Sequence, residues 1–589
     1  MPKSLRKAMN SPRTLTLRSG DGGLVVEIHP DGLTVHRGEP SELLITSPSP
    51  ALLFPRVNGA VPAAELVELR QSDDLASFHF RLASEDVDGF TLFIEPGENS
   101  MVLWMEMPVR QTCQLNALGI LPEGAGLNFY DVVNFRNRHR TDRTWPELVL
   151  GLGCETTTRS DDWQFAPHPT AFILRKNSFS LFAGFQDLQP TFGMDLKVER
   201  NVVKRWELDY GGPPHGLVLH PGEIFRSGRL RLFSSNEKSP YEVFSYFGKT
   251  LVENGLISDP AAKRRYDWWK EPIYCTWNDQ TLLANQEAED DLANQTADKV
   301  NPIVAKLDED LVRDAVSVIR AEELPVRTLI LDEGWNVARG DWHPHPERFP
   351  DFRGLIDELH SQGFKVMVWW SWAEIADNAC IPEWQLARGG WRNRHSARWR
   401  DYSDPRIQEE YLKPLMRRFF SSEPGCFNLD GIKTDFLADK IHPETPLHDP
   451  AWRGEEIYFR KLTELFYTEM RNHKPEALHL GCSGHYWLAE FLDLNRTYDV
   501  HSTNWLEHEE RARMLIATAP GATVSYDMMI FSENTDKYYE SARRLGATVE
   551  IGNVLVQKEN LFSPVRKADR DFMEVIRSGC RSTCCNPMA

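Results

Sequence analysis

The chain has 589 residues, with 67 Lys and Arg against 86 Asp and Glu for a net charge of −19, and 41% of its residues are hydrophobic. This length and balance exclude a peptide hormone, a small disulfide scaffold and a disordered chain, and they predict several domains around a large core. The negative charge repels phosphate backbones and anionic lipid, so neither nucleic acid nor membrane is expected as a partner. No apolar run approaches the roughly 20 residues of a membrane span, and the basic start MPKSLRKAMNSPRTL has no apolar stretch behind it. With nine cysteines, an odd number spread over a long chain, these features predict reduced thiols and a cytoplasmic setting.

From Gly22 to Phe233 short runs alternate with period two, such as VVEIH from Val25, FHFRL from Phe78, FTLFIE from Phe90 and VLWMEM from Val102, separated by Gly, Pro, Asn and Asp. Residues 1–240 therefore read as an antiparallel β-sandwich. A helix over Tyr241 to Leu256, with Val243, Phe244, Phe247, Leu251 and Val252 at helical spacing, opens a linker over 241–271. Beyond Pro272 apolar, β-branched runs alternate with longer helical patterns, the signature of parallel strands with crossover helices. Strands are expected from Ile273, Arg327, Lys365, Asp430, Ala477, Thr497, Thr523 and Val549. Helices are expected over Leu311 to Ala321, Phe352 to Gln362, Ile407 to Phe420 and Glu455 to Met470. Eight strands with helices between them predict a (β/α)8 TIM barrel over 272–575. A doubly wound sheet is the runner-up, but no Gly-rich phosphate turn follows the first strand. The segment 576–589, with Cys580, Cys584 and Cys585, reads as a disordered tail, since it holds no His and no Cys-x-x-Cys pair.

In a barrel the C-terminal strand ends carry the chemistry. The polar residues there are Asp279, Asp332 and Glu333, Glu374, Lys433 and Asp435, Cys482, and Asp499. Any one carboxylate could simply cap a helix, but their recurrence at successive strand ends suits glycosidic bond cleavage, which needs one carboxyl to protonate the leaving oxygen and another to attack or activate water. Asp435 and Asp499 are the expected pair, with Asp527 in reserve for the acid. Lys433 stands two residues before Asp435, so both are expected on one face, with the ammonium keeping Asp435 ionised. Nine of the 18 Trp lie between Trp277 and Trp399. Aromatic walls beside carboxylates suit the apolar faces and hydroxyl rims of sugars, although about half of these rings are expected in the core, and the neighbours Trp369 and Trp370 cannot both face inward.

The segments CTWND at Cys275, LILDEGW at Leu329, GDW at Gly340, GFKVMVWW at Gly363, GIKTDF at Gly431 and LGCSG at Leu480 resemble the barrel signatures of the retaining α-galactosidases of glycoside hydrolase family 36. The resemblance implies hydrolysis of terminal α-galactosides by double displacement, with Asp435 as nucleophile and Asp499 in R-T-Y-D, after Arg496, as acid/base. It implies sugar contacts from Asp332, Lys433 and Cys482, and aromatic positions at Trp277, Trp335 and Trp342. Glu333, Trp369, Glu374 and Arg496 complete the expected substrate site. The family usually has two Asp before G-W where this chain has Asp332 and Glu333, and one added methylene in a hydroxyl pocket can shift sugar preference. The family also adds a β-domain after the barrel, for which little chain remains here. No cofactor or metal is implied; the expected partner is an oligosaccharide or glycoconjugate, with a homo-oligomer left open. The alternatives are a relative that transfers galactose or acts on another sugar such as an α-N-acetylgalactosaminide or α-glucoside, a metal-dependent barrel hydrolase using His343 and His345, and a carbohydrate-binding protein without catalysis.

Overall fold

The computed structural model describes residues 15–38, 42–72, 74–135, 147–151, 156–159, 170–176, 179–236, 239–287, 303–372, 374–392, 397–435, 441–482, 484–497, 505–529 and 535–555. Among them the N-terminal half forms two large antiparallel sheets, of eleven and ten strands. Period-two patterning explains how they pack. In the strand Ala76–Leu82, Ala76, Phe78, Phe80 and Leu82 are buried while His79 and Arg81 face outward. The next strand, Gly89–Pro96, sets Phe90 opposite Phe80, and the two rings stack 4.7 Å apart. The inward rows of both sheets merge into one apolar core, so the expected sandwich is present.

The helix Pro240–Glu253 joins this half to the second. Its buried face, Val243, Phe244, Phe247 and Leu251, packs in one cluster with Phe182 and Phe233 of the sheet and with Tyr486, Trp487, Ala512 and Leu515 of the second half. Polar contacts cross the same seam. Tyr241 donates its hydroxyl to Glu510 (2.8 Å), the Glu455 N–H donates to the Thr191 carbonyl (3.0 Å), and Thr170 Oγ1 donates to the fully buried Glu456 (3.4 Å).

Eight parallel strands close the barrel: Ile273–Cys275, Thr328–Leu331, Lys365–Ser371, Gly431–Asp435, Leu478–Cys482, Leu494–Arg496, Val524–Met529 and Thr548–Ile551, the last pairing with the first. Inward residues including Ile273, Ile330, Met367, Leu478, Leu480 and Leu494 fill the interior, and outward ones meet the surrounding helices. The helix Glu309–Ala321 is typical. Asp308 caps it by accepting from the Leu311 N–H (2.8 Å), worth about 1 kcal/mol, and Leu311, Val312, Val316 and Ile319 bury one face.

Three expected elements differ. The first strand ends at Cys275, and Trp277 already begins the helix Trp277–Glu287. Thr276 turns the chain there: its carbonyl accepts from the Gln280 N–H (3.0 Å) and its hydroxyl accepts from the Asp332 N–H (3.0 Å). The helix expected over Ile407 to Phe420 carries a π-turn at Gln408–Leu412 before Lys413–Phe420, because Pro414 has no N–H to continue the ladder. The sixth strand is Leu494–Arg496, three residues before the expected start at Thr497. Asn495 there looks like a loop residue, but its side chain exchanges two hydrogen bonds with the Gly484 backbone, donating to the carbonyl (2.6 Å) and accepting from the N–H (2.8 Å). Asp499 and the segment 576–589 lie outside the described residues.

Candidate active site

The fourth strand, Gly431–Asp435, sets the centre of the site. Ile432 joins the helix-facing core and the Thr434 hydroxyl bonds to His479 (2.8 Å), which leaves Lys433 and Asp435 on the inward face, as their spacing predicts. Two of its neighbours on other strands orient Asp435. Trp369 of the third strand donates its Nε1–H to Oδ2 (3.1 Å), and Arg496 of the sixth donates from Nη2 to Oδ1 (3.2 Å). Trp370, the next residue, points the other way and packs edge-on against Phe466.

The partner of Lys433 is not the expected one. Its ammonium donates to Asp332 Oδ2 (2.9 Å), with Cys275 Sγ 3.4 Å away. Burial alone would lower the pKa of this amine, but Asp332 outweighs it and holds Lys433 well above the ordinary lysine value. The positive charge beside Asp435 therefore comes from Arg496, not Lys433. Two residues along a strand lie about 6.6 Å apart, whereas side chains converging from neighbouring strands approach more closely.

Arg496 also donates from Nη1 to Asp527 Oδ1 (2.8 Å). Burial raises the pKa of Asp527, but Arg496 and Lys433 overcome it and the net shift is downward. The ion pair with Arg496 favours the ionised form of this carboxylate. Asp499 is outside the described residues, and Thr497 is the last described residue before it. Cys482 closes the fifth strand.

Glu333 and Glu374 share one partner, Arg339. Arg339 grips Glu333 with Nε and Nη2 (2.5 and 2.8 Å) and Glu374 with Nη1 (2.6 Å), and its guanidinium lies 5.7 Å from the centre of the Trp369 ring. Asp332 accepts from Lys433, from the Cys275 thiol (3.0 Å) and from the Glu333 N–H (2.8 Å). Adjacent acids thus have separate tasks: Asp332 faces the barrel interior and Glu333 the rim.

The tryptophans divide as well. Trp335 and Trp342 are completely buried, packed against each other and among Phe352, Phe419 and Phe427, so they are core and not pocket wall. They act behind the wall: Trp335 Nε1 donates to the Trp369 carbonyl (2.9 Å) and Trp342 lies 5.9 Å from the Trp369 ring. Trp277 is half-buried against the interior cluster at the mouth. Asp279 does not close a strand. It is buried in the first helix, accepts from the Tyr274 hydroxyl (2.8 Å) and the Val554 N–H (2.7 Å), and ties the first strand to the chain after the eighth. His343 is exposed, bonded to Asp341 (2.6 Å) and Arg418 (2.7 Å), and among the described residues no group of three His, Cys, Asp or Glu side chains is placed to hold a metal.

Three residues packed behind this site were not expected. Cys275 is buried between Asp332 and Lys433, and burial followed by Asp332 pushes its thiol well above the usual value. Arg339 carried no sequence signal. Glu550 on the eighth strand is fully buried 3.8 Å from the Lys433 ammonium; a lone acid inside the apolar run VEIGNV was the available clue.

The closed barrel behind paired antiparallel sheets is an α-galactosidase-like fold. Residues 303–517 match the family model described as the glycosyl hydrolases family 31 TIM-barrel domain, a different family from the family 36 whose motifs the strand ends resemble. A Flavonifractor plautii protein named A type blood α-D-galactosamine galactosaminidase is 32% identical over 372 residues, 59% of this chain; the match spans 29% of that relative's length. Among solved structures, the α-N-acetylgalactosaminidase NagBb of Bifidobacterium bifidum aligns with a TM-score of 0.63 at 11% identity, covering 96% of this chain and 93% of that one. A GH36 α-galactosidase of Geobacillus stearothermophilus aligns at 0.57 with 12% identity, covering 96% and 86%. At these identities the two structures are likenesses of fold. Among the described residues no helix is long and apolar enough to cross a membrane.

Proposed function

We propose that this chain is a retaining α-glycosidase of the family 36 type acting on terminal α-galactosides, with Asp435 as the nucleophile and Asp499 as the acid/base. The reading rests on Asp435: a carboxylate at the C-terminal end of the fourth strand, 17% exposed, oriented by Trp369 and balanced by Arg496. An indole N–H and a guanidinium on opposite oxygens orient the carboxylate and fix the direction of its attack. In the first step Asp435 attacks the anomeric carbon and the leaving oxygen takes a proton from Asp499. In the second, water deprotonated by Asp499 releases the sugar with its configuration retained. Asp332 and Lys433 supply an acceptor and a donor for sugar hydroxyls, and Trp369 orients Asp435 through its indole N–H.

A second reading within this class is supported by Glu333. Its carboxylate is committed to Arg339, which changes the hydroxyl contacts at the rim, and the names of two relatives carry 2-amino and 2-acetamido galactose. A panel of aryl α- and β-glycosides of galactose, galactosamine, N-acetylgalactosamine and glucose, with product stereochemistry followed by NMR, decides among them. Turnover of an α-galactose-type substrate with net retention is expected; inversion or β-selectivity overturns the reading. Asp435→Asn is expected to reduce turnover below about 1% of the parent while sugar binding persists.

A further inference from the structure

Among the described residues, the chamber around Asp435 holds more acid than base. Four carboxyl groups, Asp332, Asp435, Asp527 and Glu550, converge on two cations, Lys433 and Arg496. Asp332, Lys433, Arg496, Asp527 and Glu550 are each 5% exposed or less, so water does little to support the excess charge. Unbalanced charges in so dry a space are costly, and the cheapest relief is to protonate one acid.

The hydrogen bonds identify which one. Asp332 accepts from Lys433, Cys275 and a backbone N–H, Asp435 from Trp369 and Arg496, and Asp527 from Arg496 and the Met528 N–H. Glu550 accepts nothing at either oxygen among the described residues. Its surroundings are Cys275 on the first strand, Asp332 on the second, Lys433 on the fourth, Arg496 on the sixth, Asp527 on the seventh and, on the helix Thr535–Leu545, Tyr538, whose hydroxyl lies 3.3 Å from the Glu550 carbonyl.

We propose that Glu550 is the acid of this chamber that holds a proton in the resting protein, and that it is a positioning residue for Lys433. Neutral, it leaves the ammonium to Asp332 and the sugar; ionised, it draws the ammonium 3.8 Å away toward itself and loosens both contacts. The direction agrees with the electrostatics, since burial first, then Asp527 and Asp332, push the Glu550 carboxyl up to about 7 against the pull of Lys433 and Arg496. The neutral form therefore prevails below that pH and is lost above it.

The catalytic consequence rests on the glycosidase reading, whereas the proton assignment does not. The test is the pH profile of kcat/KM for Glu550→Gln, using a dinitrophenyl α-galactoside so that protonation of the leaving group is not required. The parent is expected to lose kcat/KM above pH about 7, mainly through KM. Glu550→Gln should match the parent within about threefold at pH 5.5 and carry its activity at least about one pH unit higher. Superimposable profiles overturn the proposal. Glu550→Asp, which still titrates, should restore an alkaline limb and serves as the variant if the Gln form does not fold. Infrared difference spectra provide a readout without turnover: a protonated carboxyl band that the parent shows at pH 5.5 beyond what Glu550→Gln shows, and that is lost by pH 9, with the buried Glu456 contributing equally to both proteins. No such band in the parent at pH 5.5 overturns the assignment, while a parent with the band but no activity on any aryl α-glycoside sinks the glycosidase reading instead.

Discussion

Asp430 and Asp435 flank or close the same barrel strand, and their surroundings are opposite. Asp430, at the N-terminal end, accepts from His360 (2.6 Å), Lys365 (3.0 Å) and the Val366 N–H (2.9 Å), pairs with Lys474 (2.9 Å), and is wholly enclosed. Burial raises its pKa, but His360, Lys474 and Lys365 overcome this and hold the carboxyl far below the ordinary aspartate range. Asp493, just before the sixth strand, is treated alike, with Lys263, Arg471, Tyr467 and the His479 N–H all within 2.9 Å. At the other end Asp435 is bonded by an indole and a guanidinium shared with Asp527 and stays 17% exposed, and Glu550 has no hydrogen bond to its carboxyl among the described residues. One end of the barrel encloses its charges and stores stability; the other keeps a carboxylate within reach of a ligand.

Removing charges at either end tests that contrast. The largest effect, after loss of Asp435 itself, is expected from Arg496→Lys. A point charge cannot fork between Asp435 and Asp527, so kcat/KM should fall about a hundredfold while the melting temperature changes far less. A fall in stability with unchanged kcat/KM would make Arg496 a structural residue like those at the opposite end.

Asp430→Asn should do the reverse. It leaves two lysines and a histidine around a neutral amide and is expected to cost about 3 to 5 kcal/mol of stability at pH 7, read from denaturant unfolding, with little change in kcat/KM of the folded protein. The folded pKa of Asp430 is depressed, so its contribution is complete above the unfolded value near pH 4 and is lost as pH falls below it. The gap between parent and variant should therefore narrow in acid; a constant gap would mean that packing, not charge, is responsible.

The smallest effect belongs to the seam between the halves. Burial pushes the Glu456 carboxyl up to about 8. Because the folded value lies above the unfolded one, the native protein binds a proton that the unfolded chain has released, and parent stability declines as pH rises from about 4.5 to 8. Glu456→Gln should melt with the parent at pH 4.5 and a few degrees higher at pH 8. Equal melting at pH 8 would show that Glu456 is ionised at the seam.

Much of this was legible in the residues, though unevenly. Seven of the eight barrel strands began within a residue or two of their expected positions because parallel strands buried on both faces must be nearly continuous apolar runs. The sixth was missed because Asn495 and Arg496 are polar, and their compensation comes from Gly484, Asp435 and Asp527, remote in sequence. The inward turn of Lys433 and Asp435 was readable from period two, but their partners were not. Trp335 and Trp342 were readable as aromatic, yet nothing local distinguishes a ring that lines a pocket from one that props the lining from behind.

The sequence by itself determined the order of domains, the barrel and the strand ends from which the site is built, since periodicity and composition act through neighbours a few residues apart. Only the tertiary structure decided which charge faces which: Arg496 on Asp435, Lys433 on Asp332, Arg339 across Glu333 and Glu374, and Glu550 left with its proton to settle. Electrostatic energy depends on distance and burial, and barrel closure brings together residues as far apart as Cys275 and Glu550, a proximity that no local pattern encodes.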